Sequence, residues 1–165
     1  MSPTPSLRAY LVFTGPKGWR EWKTATDMEV RISNEIANRG IGDRVKQLGY
    51  VSAPDLEGLY GAATAMVFPS KFEGFGAPIL EAMARGCAVI AADATAIPEV
   101  VGSAGRLVSP DNAEEWCRAM SDLLEDTEAT NGYVKAGLER ATDFGWTRSA
   151  GILEDSYRFV LETTL

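Results

Sequence analysis

The feature that most limits how this chain can fold is a series of short apolar runs in which apolar and polar residues do not alternate. Such runs are typical of strands buried on both faces, and strands that alternate with helices form parallel sheets covered by those helices. The runs lie at Tyr10–Phe13, Val45–Val51, Ala65–Pro69, Ala88–Ala92 and Arg106–Val108. We therefore predict an α/β fold with a doubly wound parallel sheet of about five strands.

Helical stretches separate the runs and finish the chain. They are predicted at Glu21–Asn38, from Pro54 onward, at Pro78–Arg85, Ile97–Val101, Ala113–Leu124, Glu128–Ala141 and Trp146–Leu161. Residues 1–7 contain two prolines in a polar setting and are predicted to be a flexible tail, and residues 8–165 one domain. In such sheets ligands bind beyond the carboxyl ends of the strands, so we expect the functional residues in the turns that follow them.

Composition excludes several classes of function. The formal net charge of the 165 residues is −7 and no basic cluster is present, which argues against nucleic acid as a partner. There is no histidine, and Cys87 and Cys117 are far apart, so neither a zinc site nor a histidine-based catalytic triad is expected. Cys87 is expected in the core. No apolar run is long enough to cross a membrane, and we expect a cytoplasmic protein without a transmembrane segment.

The segment Phe72–Gly86, directly after the third strand, is the most informative part of the sequence. Pro78 suits the start of a helix and Gly86 the position after its end. Gly74 and Gly76 allow the backbone to approach a ligand closely. The unpaired amides at the helix N-terminus are expected to favour an anion such as phosphate, and we assign them to Ala77, Ile79 and Leu80.

Two carboxylates flank this expected anion site, Glu73 before the helix and Glu81 inside it. A carboxylate accepts two hydroxyl protons at once, which suits a vicinal diol of a ribose or a hexose. Diols on both sides of a diphosphate describe a nucleotide sugar. The structural alternative is that Ser70 and Glu73 form a capping box, and that Glu81 is a solvated residue beside Arg85.

Glu73 and Glu81, in the context Phe72–Gly86, resemble the signature of the retaining GT-B glycosyltransferases of family 4, also called group 1. The resemblance extends from about Leu11 to Leu161 in the order of the family. Further matching runs are Gly49–Val51, Val67–Ser70, Ala88–Ala91, Ile97–Gly102 and Phe144–Trp146. The resemblance implies the donor-binding, C-terminal domain of a hexosyltransferase that uses a nucleoside diphosphate sugar.

The resemblance also implies roles for single residues. Glu73 is the implied catalytic residue and contacts hydroxyls of the transferred sugar, while Glu81 holds the ribose. The turn at Tyr50 and Val51 lies beside the base. The backbone that approaches sugar and diphosphate belongs to Gly74, Phe75, Gly76, Ile79 and Leu80. For Tyr50 and Phe75, packing alone is an equally good interpretation.

Departures from the family pattern lead to further expectations. The family's donor domain begins with a strand and helix whose turn carries an arginine and a lysine for the diphosphate, and the chain is expected to lack them together with the N-terminal acceptor domain. Lys17 and Lys71 are the nearest candidate phosphate ligands, with solvated surface lysines as the alternative. No metal or other cofactor is expected.

Loss of that strand is expected to close the sheet to the order 2-1-3-4-5, with Leu11–Phe13 pairing directly with Met66–Phe68. The chain alone is expected to be inactive. One alternative is a non-catalytic nucleotide-sugar-binding module, or one subunit of a split glycosyltransferase. The other is an unrelated flavodoxin-like domain that binds FMN or receives a phosphoryl group.

Overall fold

The computed structural model describes residues 9–15 and 23–163, and within them the predicted α/β class is confirmed. The strands are β1 (Leu11–Thr14), β2 (Val45–Gly49), β3 (Ala65–Phe68), β4 (Ala88–Ala92) and β5 (Arg106–Val108). The helices are α1 (Lys23–Asn38), α2 (Ala53–Ala62), α3 (Ala77–Ala84), α4 (Ile97–Val101), α5 (Ala113–Glu125), α6 (Thr127–Thr142) and α7 (Trp146–Thr163), with a 3₁₀ turn at Gly42–Arg44. The chain divides into two compact units, one that runs to Leu56 and one that begins at Glu57.

The first unit contains a two-stranded parallel sheet. β1 pairs with β2, Leu11 opposite Val45, and the Gly15 amide donates to the Gly49 carbonyl at 2.8 Å just beyond the ladder. All four residues of β1 are exposed. The predicted tail at residues 1–7 lies outside the described residues.

The second unit contains the parallel sheet β3-β4-β5, with the central strand β4 buried along its whole length. Every residue of β4 is apolar and every one is buried, because β4 has a neighbouring strand on each side and is covered by helices. The core consists of β4, Ala104, Val108 of β5 and the buried faces of α3, α4 and α5. Cys87 belongs to this core, as predicted, and burial raises the pKa of its thiol.

Helix α3 is fixed at its end and along one face. Gly86 has a φ of +72°, and Cys87 and Gly86 donate their amides to the carbonyls of Ala82 and Met83, which closes the C-terminus as predicted. Along the face, a Cβ at Gly137 of α6 would lie 3.2 Å from Cγ of Met83. The absence of a side chain at Gly137 therefore allows α6 to pack closely against α3.

The predicted strand order 2-1-3-4-5 is wrong. Among the described residues, β1 is hydrogen-bonded to β2 and β3 to β4, and Leu11–Phe13 does not pair with Met66–Phe68. The prediction considered only the unpaired amides at a one-strand gap. Such amides can donate to water instead. Because a protein hydrogen bond contributes only about 0.5–1.5 kcal/mol net, unpaired amides do not by themselves bring two strands together.

Helix α7 contributes nothing to the core. None of the residues from Trp146 to Thr163 is buried, and Trp146 is 90% exposed. In the described part of the chain, no helix is long and apolar enough to cross a membrane.

Candidate functional site

The loops that follow β3, β4 and β5 meet at the carboxyl end of the three-stranded sheet. The backbone amide of Glu73, in the loop after β3, donates to Oγ1 of Thr95, in the loop after β4, at 3.0 Å. Lys71 forms an ion pair with Asp111, in the loop after β5. The segment from the third strand to α3 therefore lies at the edge where the strand pattern predicted a ligand site.

Thr95 occupies an unusual backbone conformation at this edge. Its φ of +49° is the only positive value of a non-glycine residue in the described part of the chain. A β-branched residue in this region is strained, and such strain persists only where the surroundings hold the backbone in place. In this conformation the Thr95 hydroxyl accepts a hydrogen bond from the Glu73 amide. This bond connects the loop that carries the Glu73 carboxylate to the loop after β4.

The N-terminus of α3 has no side-chain cap. The capping position is Gly76, with a φ of +92°, and no side chain accepts a hydrogen bond from the first turn. Ser70 instead donates to the Phe72 carbonyl at 3.4 Å. The capping-box interpretation of Ser70 and Glu73 is therefore wrong, because the helix begins at Ala77 and the Glu73 amide is bound to Thr95.

The amides without a protein acceptor lie slightly earlier in the chain than predicted. The Ile79 amide donates to the Gly76 carbonyl at 2.9 Å and Ile79 is buried, so its assignment as an unpaired donor is wrong. Among the described residues, no acceptor contacts the amides of Gly74, Phe75, Gly76 or Ala77. A run of free amides that leads into a helix N-terminus is an anion-binding arrangement.

Glu81 is exposed on α3 and is not paired with Arg85. Arg85 donates from Nη2 to Oε1 of Glu57, on α2, at 2.7 Å. No ion pair or hydrogen bond of the Glu81 carboxylate occurs within the described residues. An exposed carboxylate of this kind agrees with the alternative of a solvated helix residue, and ligand binding by Glu81 stays a prediction. Tyr60 is nearby: burial raises the pKa of its phenol, and the negative charge of Glu81 raises it further.

The described basic side chains near this edge, Lys71 and Arg140, are bound to protein acceptors. Lys71 is bound to Asp111, although both side chains are largely exposed. The guanidinium of Arg140 binds the carbonyls of Glu99 and Val100. Lys17 lies outside the described residues. The structure thus places one of the two candidate phosphate lysines at the site and shows it in an ion pair.

The remaining predicted residues fall in two places. Gly74, Phe75, Gly76 and Leu80 lie with Glu73 and Glu81 at the start of α3, within the second unit. Tyr50 and Val51 follow β2 in the first unit, where Tyr50 is 84% exposed and Val51 half-buried. Their predicted place beside a base stays a prediction.

Sequence reasoning missed three residues of this region: Thr95, Arg140 and Phe144. The rings of Phe75 and Phe144 meet edge to face, with centroids 5.8 Å apart, and the Arg140 guanidinium carbon lies 4.7 Å from the Phe144 centroid. Phe144 belongs to the run Phe144–Trp146, which matches the family pattern, but the sequence of this run does not indicate what the Phe144 ring contacts. Thr95 carried no sequence signal, because a positive φ is not expected for threonine.

No group of three or more His, Cys, Asp or Glu side chains in the described ranges is arranged to hold a metal ion. Among the described residues of this region, the polar groups without a protein partner include the backbone amides of Gly74–Ala77, which donate, and the carboxylates of Glu73 and Glu81, which accept. Carboxylates accept hydroxyl protons and amides bind anions, so the arrangement suits a ligand that carries both hydroxyls and phosphates.

Comparison with known proteins gives a consistent result. A family model described as "Glycosyl transferases group 1" matches residues 7–140. The chain is 32% identical over 155 residues to the O-antigen chain mannosyltransferase B of Escherichia coli, which corresponds to 93% of this chain and 38% of that protein.

Two solved structures are also similar. The sucrose-phosphate synthase of Thermosynechococcus elongatus matches with a TM-score of 0.78 at 28% identity, over 93% of this chain and 39% of that chain. The Anabaena protein Alr3699/HepE, in complex with UDP, matches with a TM-score of 0.78 at 26% identity, over 91% of this chain and 41% of that chain. The chain therefore spans less than half the length of each of these three proteins.

Proposed function

The chain belongs to the glycosyl transferases group 1 family, and we propose that its second unit binds the nucleoside diphosphate sugar from which a hexose is transferred. We further propose the GT-B type of family 4, with retention of configuration at the anomeric carbon. The observation that carries the proposal is that two unpaired groups belong to one helix: the amides of Gly74–Ala77 lead into the N-terminus of α3, and the Glu81 carboxylate lies one turn inside it.

Glu81 is the proposed ligand of the ribose. Its carboxylate is exposed and carries no ion pair within the described residues, because Arg85 is bound to Glu57. An acceptor-only group in this state is suited to the two hydroxyls of a ribose diol. The UDP complex of the structurally similar Anabaena protein supports a nucleoside diphosphate as the ligand class.

Glu73 is the proposed catalytic residue and contact of the transferred sugar. Its backbone is held by Thr95, while its half-buried side chain makes no ion pair with a described residue. This arrangement leaves the carboxylate available for sugar hydroxyls. The orientation of the sugar would then depend on the loop after β4 as well as on the glutamate.

The diphosphate is proposed to lie on the amides of Gly74–Ala77, with the helix dipole behind them. Lys71 is a further candidate ligand if the ligand displaces Asp111 from it. We propose that no metal ion or other cofactor takes part, so that amides and basic groups alone stabilise the leaving diphosphate.

Transfer is proposed to need an acceptor-binding part outside this chain, whether in the same longer protein or in a separate subunit. The chain corresponds to 38% of the E. coli mannosyltransferase. Holding an acceptor hydroxyl against the anomeric carbon is worth about 7–11 kcal/mol of the barrier. The chain alone is therefore proposed to bind the donor without measurable turnover. The cytoplasmic location stays a prediction.

Calorimetry against UDP, GDP and ADP, and then against the sugar-bearing form of the best ligand, tests the binding proposal. Glu81→Ala is expected to weaken nucleoside diphosphate binding about 10- to 150-fold, the equivalent of ~1.5–3 kcal/mol for a charge-assisted hydrogen bond. Glu73→Ala is expected to weaken only the sugar-bearing form.

Glu139→Ala is the matched control, since Glu139 is also an exposed glutamate inside a helix of the second unit. Binding that is equally weak in Glu139→Ala and Glu81→Ala, or equal losses of both ligands in Glu73→Ala, would contradict the assignments. Acceptor-dependent transfer by the chain alone would contradict the proposed need for another part.

A further inference from the structure

The turn that carries the free amides is held at both ends. The Glu73 amide donates to Oγ1 of Thr95 before it, and Gly76 is buried close to Ile79 at its end. Phe75 stands between Gly74 and Gly76, and Gly76 has a φ of +92°. A Cβ at Gly74 would meet nothing within 4 Å. Glycine restricts the backbone less than any other residue, so between those two ends only the side chain of Phe75 can hold the turn in one conformation.

Phe75 is held by the end of α6. Its ring, 48% exposed, meets Phe144 edge to face at a centroid distance of 5.8 Å and an interplanar angle of 66°. This is a favoured geometry for aromatic pairs. Phe144 lies just after α6, so the contact joins residues far apart in the sequence.

Phe144 is in turn fixed by Arg140. The guanidinium carbon lies 4.7 Å from the Phe144 centroid, within the range of a cation–π interaction. The guanidinium itself is held by three acceptors: Nη2 donates to the Glu99 carbonyl at 2.6 Å, Nε to the Val100 carbonyl at 3.1 Å and Nη1 to Oδ2 of Asp143 at 3.1 Å. A planar group with this many partners is a rigid support for the ring.

We propose that Phe144, supported by Arg140, is a positioning residue that fixes the turn Gly74–Gly76 and thereby the amides that receive the diphosphate. Neither Arg140 nor Phe144 needs to touch the ligand. The proposal rests on the proposed function for the ligand, but the mechanical part, that Phe144 holds the turn, stands on the contacts alone.

Backbone ¹⁵N relaxation of the protein without ligand tests the mechanical part. The amides of Gly74–Ala77 are expected to have order parameters near ~0.85 in the wild type and below about 0.6 in Phe144→Ala. Phe144→Tyr, which keeps the ring, is expected to preserve the wild-type values. Leu138→Ala, at an exposed residue of α6, is the control. Unchanged order parameters in Phe144→Ala would overturn the proposal.

A double-mutant cycle tests the link to binding, with whichever of UDP, GDP and ADP binds best as the probe. Phe144→Ala is expected to weaken binding by about 2- to 12-fold, the range that corresponds to an aromatic pair. In a Phe75→Ala background, Phe144→Ala is expected to have less than about a twofold effect, because the Phe75 ring through which Phe144 acts on the turn is already absent. An equal loss in both backgrounds would overturn the proposal.

The outcomes separate this proposal from the proposed function. If the wild type binds none of the three diphosphates, the proposed function fails, while the relaxation measurement still decides whether Phe144 holds the turn. Circular dichroism accompanies each variant. Should Phe144→Ala lose its fold, Phe144→Leu keeps apolar volume and removes the ring edge, and the same two measurements apply to it.

Discussion

Strands β1 and β4 have the same kind of sequence and different surroundings. Both are apolar runs without alternation, yet Val12 in β1 is 40% exposed whereas Ile90 in β4 is completely buried. Within the described residues β1 pairs with β2 alone, and β4 pairs on both edges. The apolar sequence pattern therefore determines that both segments form strands, whereas the burial of each strand depends on how many neighbouring strands and helices pack against it.

The same difference explains why the candidate site lies in the second unit. The loops after β3, β4 and β5 extend from strands anchored by a dense core, so their positions relative to one another are fixed. A site needs this support, since ligand groups must be held within about half an ångström of their places. In the first unit the turns extend from β1, which is exposed along its length, and from β2, which has one buried residue, Gly49.

Core truncation should produce the largest difference between the units. Ile90→Ala removes buried methyl and methylene groups and is expected to lower the free energy of unfolding by about 2–5 kcal/mol. Leu48→Ala, at an exposed position of β2, is expected to cost less than about 1 kcal/mol. Urea denaturation measures both, and similar losses for the two variants would break the comparison.

Addition of a methyl group should give an intermediate difference. A Cβ at Gly105 would lie 2.9 Å from the carbonyl oxygen of Val89 and 3.0 Å from Cγ1 of Val101. Gly105→Ala is therefore expected to destabilise the protein by about 1–3 kcal/mol. Gly42→Ala, in the first unit, meets only Cγ2 of Ile36 at 3.8 Å and is expected to change stability by less than ~0.5 kcal/mol. A neutral Gly105→Ala in thermal denaturation would contradict the tight packing described for the second unit.

The smallest effect extends the comparison from the core to the loops that it supports. Thr95→Ala removes the acceptor of the Glu73 amide, a hydrogen bond worth about 0.5–1.5 kcal/mol. We expect a 2- to 12-fold weaker affinity for the sugar-bearing ligand, with the bare nucleoside diphosphate less affected. Thr95→Ser keeps the hydroxyl and should behave as the wild type in calorimetry. A loss in Thr95→Ser as large as in Thr95→Ala would show that the hydroxyl is not what matters.

Much of the local structure follows from the sequence. Helix α3 was predicted to within a residue because Pro78 and Gly86 mark its ends, and β4 and α4 have the predicted bounds. The strand order could not be predicted by counting unpaired amides, because an amide at a sheet edge can donate to water at little net cost in free energy.

The sequence predicted the positions of the two carboxylates of the candidate site, but it did not predict the residues that hold the surrounding loops in place. Glu73 precedes α3 and Glu81 lies one turn inside it, as predicted, whereas the free amides are Gly74–Ala77 and exclude Ile79. Thr95, Arg140 and Phe144 act through contacts between residues distant in the sequence. Periodicity and local motifs do not report such contacts.

A ¹H–¹⁵N NMR titration of the whole chain with UDP, GDP and ADP tests most directly whether a nucleoside diphosphate binds at Gly74–Ala77 and Glu81. We expect the largest shift changes at the amides of Gly74–Ala77 and around Glu81, and we expect Glu81→Ala to move the titration to higher ligand concentration. Saturable shifts confined to other faces of the protein, with the amides of Gly74–Ala77 unchanged, would contradict binding at this site.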